Sequence, residues 1–155
     1  MSDAGDRVAA LVELIADALG LDAVVVVDED EELLTATVEG EDLGLFIGRH
    51  GQTIEAVQHL AQRVGVDRDD TTDGPRQRIV VDADGYRARR RDALERIADD
   101  AADDAARSGR PVAMDAMTSS ERRIVHEHLR DRGDVDTHSE GDEPDRHLVV
   151  SPRDD

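Results

Sequence analysis

The chain has 155 residues, enough for one domain or two small ones, with 38% hydrophobic residues but only 1% aromatic ones. One Phe and one Tyr cannot build the aromatic base-stacking platforms of RRM or OB folds, and the lack of cysteine excludes disulfides, zinc fingers and thiol catalysis. The formal charge of −19, with every basic residue an arginine, argues against a polyanionic ligand unless arginines gather where acids are absent. The first residues lack the basic and apolar regions of a signal peptide, and the longest strongly apolar run, Ala23 to Val27, is too short to cross a bilayer. A cytoplasmic protein without membrane insertion is expected.

In chain order, Val8, Leu11, Val12, Ile15, Ala18 and Leu19 recur at helical spacing, and Gly20 stops that helix. The β-branched run Ala23 to Val27 predicts a buried strand. The acids of Asp28 to Glu32 predict a solvated turn without the glycine and spacing of a calcium loop. Leu34, Ala36 and Val38 alternate with Thr35 and Thr37, the pattern of a half-buried strand. Next come a short apolar helical turn, the link Gly48-Arg49-His50-Gly51, and an amphipathic helix with Ile54, Val57, Leu60 and Val64 on one face. Paired glycines let the backbone approach a ligand closely, and a helix starting near Gly51 aims its unpaired N–H groups and positive end at the link, as a phosphate requires. Asp67 to Pro75 reads as a polar loop, and Arg76 to Val81 as a third strand with Ile79 and Val81 alternating.

Asp84-Gly85 marks the start of a long helix whose stripe is Tyr86, Leu94, Ile97, Ala101 and Ala105. Arginines 87, 89, 90 and 91 come first and Asp99, Asp100, Asp103 and Asp104 later, against the preference of the helix dipole. Either a rigid connector with a basic end or a plain solvated face accounts for that order. After Gly109-Arg110-Pro111, Thr118-x-x-Glu121 has the form of a capping box opening another helix. Arg122 and His126 lie four apart on one face of it, with Val125 and Leu129 turned inward. Val135 and Leu148 to Val150 predict two short strands separated by Thr137 to Pro144. His126 and His128, two apart on a helix, point in different directions and make no metal pair. No nucleophile or paired-carboxylate constellation stands out, so neither an enzyme nor a cofactor is expected.

The run Leu45-Phe46-Ile47-Gly48-x-x-Gly51, set in the order helix, strand, strand, helix, helix, strand, resembles a type II KH domain. Glu121 to His126 matches the Arg-xxx-His signature of the R-3-H domain, and Ser139-Glu140-Gly141-Asp142-Glu143-Pro144-Asp145-Arg146 resembles the segment near that domain's end. From about Arg7 to Arg153 the chain is similar to the Jag family, also called KhpB. The resemblance implies an α+β fold: a KH domain over 7–83, a connecting helix over 84–109 and a small α/β R-3-H domain over 110–153. It also implies a single-stranded RNA ligand, with single-stranded DNA a further candidate. In the KH loop Arg49 would contact phosphate, His50 would be a lesser donor, Gly48 and Gly51 would supply geometry, and Ile47 and Ile54 the groove wall. In the second domain Arg122 and His126 would contact backbone or base, with Arg123 and Arg146 beside them. A small KH-only protein as partner and RNA-based control of cell envelope growth and division are the further implications. Two departures stand out: Met117-Thr118-Ser119-Ser120 replaces the Asn-Pro-Tyr usual in relatives, and the extra N-terminal domain and linker of many relatives are not expected here. The acidic charge favours one alternative, a protein–protein adaptor that keeps both folds but has lost RNA binding.

Overall fold

A computed structural model describes residues 1–66 and 76–154, so the expected polar loop at Asp67 to Pro75 lies outside the described residues. The chain divides into two compact units, Met1–Tyr86 and Arg87–Asp155.

The first unit has helix α1 (Asp3–Ala18), strands β1 (Ala23–Glu29) and β2 (Leu33–Gly40), helix α2 (Gly44–Ile47), a 3-10 turn (Arg49–Gly51), helix α3 (Gln52–Gly65) and strand β3 (Arg78–Ala83). Its sheet has the order β1-β2-β3, with β1 antiparallel and β3 parallel to the central β2. Leu34, Ala36 and Val38 of β2 are fully buried, and Val8 and Val12 of α1, Phe46 of α2, and Ile54, Val57 and Ala61 of α3 pack in the same core. Alternation in β2 therefore gives the expected half-buried strand.

β1 departs from expectation. It is an edge strand with Val24 66% and Val26 45% exposed, because continuous valines suggest burial on two faces, which a three-stranded sheet covered on one face cannot supply. The stripe of α3 differs too: Leu60 is 47% exposed, and Ala61 and Gly65 turn inward instead. Close packing selects these small residues. A Cβ on Gly65 would overlap Ile79 Cδ1 and lie 3.2 Å from Val8 Cγ2. The end of α3 is closed by Arg7, whose guanidinium donates to the carbonyls of Val64 (2.8 Å) and Gly65 (3.2 Å). On the free edge of β3 the Gln58 side chain donates to the Ile79 carbonyl (2.5 Å) and accepts from the Val81 N–H (2.6 Å).

The second unit comprises most of helix α4 (Tyr86–Ser108), the two-residue strand β4 (Val112–Ala113), helix α5 (Ser119–Leu129) and strands β5 (Val135–Glu140) and β6 (His147–Pro152). Its sheet runs β4-β6-β5, antiparallel throughout. Leu94, Ala98, Ala101, Ala102 and Ala105 of α4 share a core with Met114, Met117, Val125, Leu129, Val135, Leu148 and Val150. The expected connector thus contributes its alanine face to this core, and Ile97, expected in the stripe, is 47% exposed. β5 runs through Glu140, so part of the expected separator is strand, and β4 has no counterpart in the sequence pattern. The connection that remains, Gly141 to Arg146, contains a cis Glu143–Pro144 peptide bond.

Candidate nucleic-acid interface

In the first unit, α2 is a single turn fixed by one face: Leu43 and Phe46 are buried while Leu45 points out and is 63% exposed. That platform delivers the chain into Gly48 at φ 76°, ψ 174°, a region open essentially to glycine alone. Any Cβ there would also sit 2.8 Å from the Thr53 backbone nitrogen and closer still to the Thr53 side chain. His50 (φ 55°) and Gly51 (φ 72°) continue in left-handed conformations, and the Gly51 N–H donates to the Gly48 carbonyl at 3.2 Å. The turn is therefore rigidly specified.

It presents two exposed side chains, Arg49 and His50, neither of which makes a hydrogen bond or ion pair among the described residues. Helix α3 begins at this point with no side-chain cap, whereas Ser2 caps α1 and Thr118 caps α5. The Gln52 N–H donates to the Arg49 carbonyl within the turn, and the next N–H groups of the helix start face the link with the positive end of the helix dipole behind them. From Leu43 to Val66 the only acid is Glu55, against Arg49, Arg63, His50 and His59. This is the least acidic stretch of a unit that holds twenty acids and six arginines over residues 1–86.

Of the expected groove residues, Ile47 is half-buried and can form a wall, but Ile54 is 1% exposed and belongs to the core beneath it. Tyr86 is a further residue at the turn. Expected on the connecting-helix stripe, it packs instead beside the loop, with its hydroxyl oxygen 2.9 Å from where a Cβ on Gly51 would be.

In the second unit, Thr118 and Glu121 form the expected capping box, with Glu121 N–H to Thr118 Oγ1 at 3.3 Å and Thr118 N–H to Glu121 Oε2 at 3.2 Å. Glu121 also receives Arg90 Nε–H at 2.7 Å, so this start of α5 is tied to α4. Arg122, Arg123 and His126 line one open pocket of about 360 Å³ together with Ser119, Thr137 and Ser139. None of the last three was expected at the site: Ser139 opens the segment that resembles the end of the R-3-H domain but was given no contact, the apolar pattern marks no strand through Thr137, and Ser119 reads only as a helix-start residue.

The four expected residues differ sharply in what they already hold. Arg122 is 8% exposed; its guanidinium donates to the Met117 carbonyl at 2.6 Å and to Glu143 Oε1 at 2.7 Å. A hydrogen bond from a charged group contributes roughly 1.5–3 kcal/mol, which applies to the enclosed bond to the Met117 carbonyl, while the pair with the mostly exposed Glu143 adds less, so Arg122 is held chiefly by the carbonyl. Arg123 is exposed and pairs with Glu127, one turn on, at 2.9 Å. Such surface pairs contribute little. His126 is exposed, with Nδ1 2.5 Å from Thr137 Oγ1. Arg146 lies outside the pocket and donates to the Gly141 carbonyl at 2.7 Å, closing the loop between β5 and β6.

His128 pairs with Asp99 at 2.9 Å, away from His126. Among the described residues no three His, Asp or Glu side chains converge as a metal site would require, and no helix is long and apolar enough to cross a membrane.

A glycine-bracketed turn between two helices on an αββααβ frame, followed by an Arg-xxx-His helix over a three-stranded sheet, defines a two-domain protein of the KH and R-3-H type. Family comparison agrees: residues 7–73 match the KH domain of KhpA/KhpB, and residues 92–152 match the R-3-H domain. Both are binding folds rather than catalytic ones. The chain is 32% identical over 148 residues to the RNA-binding protein KhpB of Clostridium symbiosum, covering 94% of this chain and 65% of that protein. Identity to the KhpB of Lactiplantibacillus plantarum is 37% over 135 residues (87% and 41%), and to that of Bacillus subtilis 32% over 142 residues (90% and 66%). The chain belongs to the KhpB family, also called Jag. It spans less than two thirds of the length of these relatives.

Proposed function

We propose that this chain binds single-stranded RNA at two places, the Gly48–Gly51 turn and the pocket on α5. The observation that carries the reading is the turn itself: a defined backbone, two side chains able to donate to phosphate and without a partner among the described residues, and a helix start with no side-chain cap, in the least acidic stretch of its unit. The relatives' designation as RNA-binding proteins supports the same ligand. Arg49 neutralises phosphate and His50 donates beside it, while Gly48 and Gly51 give the backbone its path and Ile47 lines the groove. Arg123 and His126 serve the second place, within a wall organised by Arg122 and closed by the Arg146 loop. Single-stranded DNA offers the same phosphates and is a weaker candidate on the family's designation alone.

The biological setting is cytoplasmic post-transcriptional control connected with cell envelope growth and division, alongside a small KH-only partner. This part rests on the family resemblance. The opposing reading, an adaptor that binds protein instead, draws on fourteen of the nineteen net negative charges lying within residues 1–86.

An NMR titration of the isotope-labelled chain with a short single-stranded RNA pool separates the two. The RNA reading expects amide shifts at Gly48 to Thr53 and around His126 and Thr137. An unchanged spectrum at low salt would leave the adaptor.

A further inference from the structure

Arg122 is the first residue of the Arg-xxx-His signature, yet its geometry withdraws it from a ligand. We infer that Arg122 is a positioning residue, which acts through Glu143 and the Met117 carbonyl to set the pocket where Arg123 and His126 meet the strand. This inference rests on the RNA reading of the second unit.

Both of the bonds described for Arg122 are internal, and the side chain is only 10% exposed. A phosphate could reach it only by displacing Glu143. The side chain of Arg123 is 79% exposed, and a phosphate exchanges readily for its solvated partner Glu127.

What Arg122 holds is the pocket wall. The Met117 carbonyl immediately precedes the cap of α5 and Ser119 at the pocket rim. Glu143 lies in the loop from β5 to β6, which is folded on itself by Asp145 N–H to the Asp142 carbonyl (2.8 Å) and by Arg146 to the Gly141 carbonyl (2.7 Å). The two ends of that loop lead into the strands that carry Thr137, Ser139 and Leu148 of the same pocket. One guanidinium therefore joins the segment before α5, α5 itself and the β5–β6 connection. Thr137 reaches His126 across this junction, so the imidazole is oriented by a strand whose loop Arg122 anchors.

The test uses the full chain and a fluorescein-labelled single-stranded RNA pool, with anisotropy measured over a salt series well below each variant's melting temperature. Glu143→Gln leaves Arg122 in place and is expected to weaken binding roughly two- to five-fold, in proportion to a partly exposed ion pair, without changing the salt slope. Glu143→Asp, which keeps the carboxylate, should recover part of the loss. Arg122→Gln, which also frees the Met117 carbonyl, should weaken binding at least as much as Glu143→Gln, and the double variant should be no weaker than Arg122→Gln alone. Arg123→Gln should lower the slope of log K against log salt by about 0.7, one phosphate on a single strand. A purely structural role would shift melting and leave affinity alone, contradicting the inference. So would a slope lowered by Arg122→Gln together with unchanged or tighter binding by Glu143→Gln. If Arg123→Gln alters neither affinity nor slope, the second unit is not an RNA site, and both that reading and this inference fall.

Discussion

At the scale of single residues, the glycine at 48 is the most constrained position of the candidate interface. Gly48→Ala forces a side chain into a glycine-only conformation and against the Thr53 backbone. We expect a loss of roughly 1–3 kcal/mol in denaturant unfolding, together with weakened RNA binding. Unchanged stability would show that the turn is not held as described. The motif made this position legible, since glycine spacing encodes backbone geometry directly. Burial was not legible: nothing in Glu121 to His126 distinguishes a guanidinium facing solvent from one enclosed by a carbonyl and a carboxylate 21 residues on. That distinction depends on a loop whose path no local pattern determines. Tyr86 was missed for the same reason, because helical spacing placed it on a stripe while its contact is with a loop 35 residues earlier.

Among the elements, order and type were legible almost throughout, from alternation in β2, helical spacing in α1 and the capping box of α5. Errors arose where small residues do the packing. In α3 and α4 the inward faces are Ala61, Gly65, Ala98 and Ala102, while the larger Leu60 and Ile97 face outward. A reading that ranks residues by hydrophobic size turns both helices slightly the wrong way. The structure predicts that Gly65→Ala destabilises by about 1–3 kcal/mol through overpacking against Ile79 and Val8. Ile97→Ser should change stability by less than about 0.5 kcal/mol, while Ala102→Leu should cost about 1–3 kcal/mol. Thermal and urea unfolding would check both helices, and the reverse order for Ile97 and Ala102 would contradict the assigned face. The same scale holds an acid-sensitive link. Arg132 bonds Asp134 at 2.8 Å and Asp103 of α4 at 2.6 Å, and its guanidinium holds the Asp134 carboxyl below the usual range. A depressed carboxyl contributes stability above its unfolded pKa and loses it as pH falls through its folded one. The melting-temperature gap between the native chain and Arg132→Gln should therefore be full at neutral pH and close in acid, below the ordinary carboxylate range. A gap independent of pH would contradict the link.

For the whole molecule, net charge decides the conditions under which any binding is seen. A chain at −19 repels itself, so salt should raise its melting temperature, while the same salt weakens attachment to RNA through counterion release. The opposition follows from charge being local in effect at distances beyond about 10 Å in 0.1 M salt. An acidic body thus would not cancel a turn bearing Arg49 and His50, although it would limit the number of phosphates neutralised. The two proposed sites, on one chain, would also gain from effective concentration, provided one strand spans both.

On the proposed function, the Gly48–Gly51 turn clamps a single strand through Arg49 and His50. The most direct test is fluorescence anisotropy of a labelled single-stranded RNA pool at low and moderate salt, comparing the native chain with the paired change Arg49→Asp and His50→Asp. The expected result is measurable native binding, a loss of about ten-fold or more in the variant, and a salt slope lower by about 0.7 for each phosphate contact removed. Equal binding by the two proteins, or none by the native chain even at low salt, would contradict it.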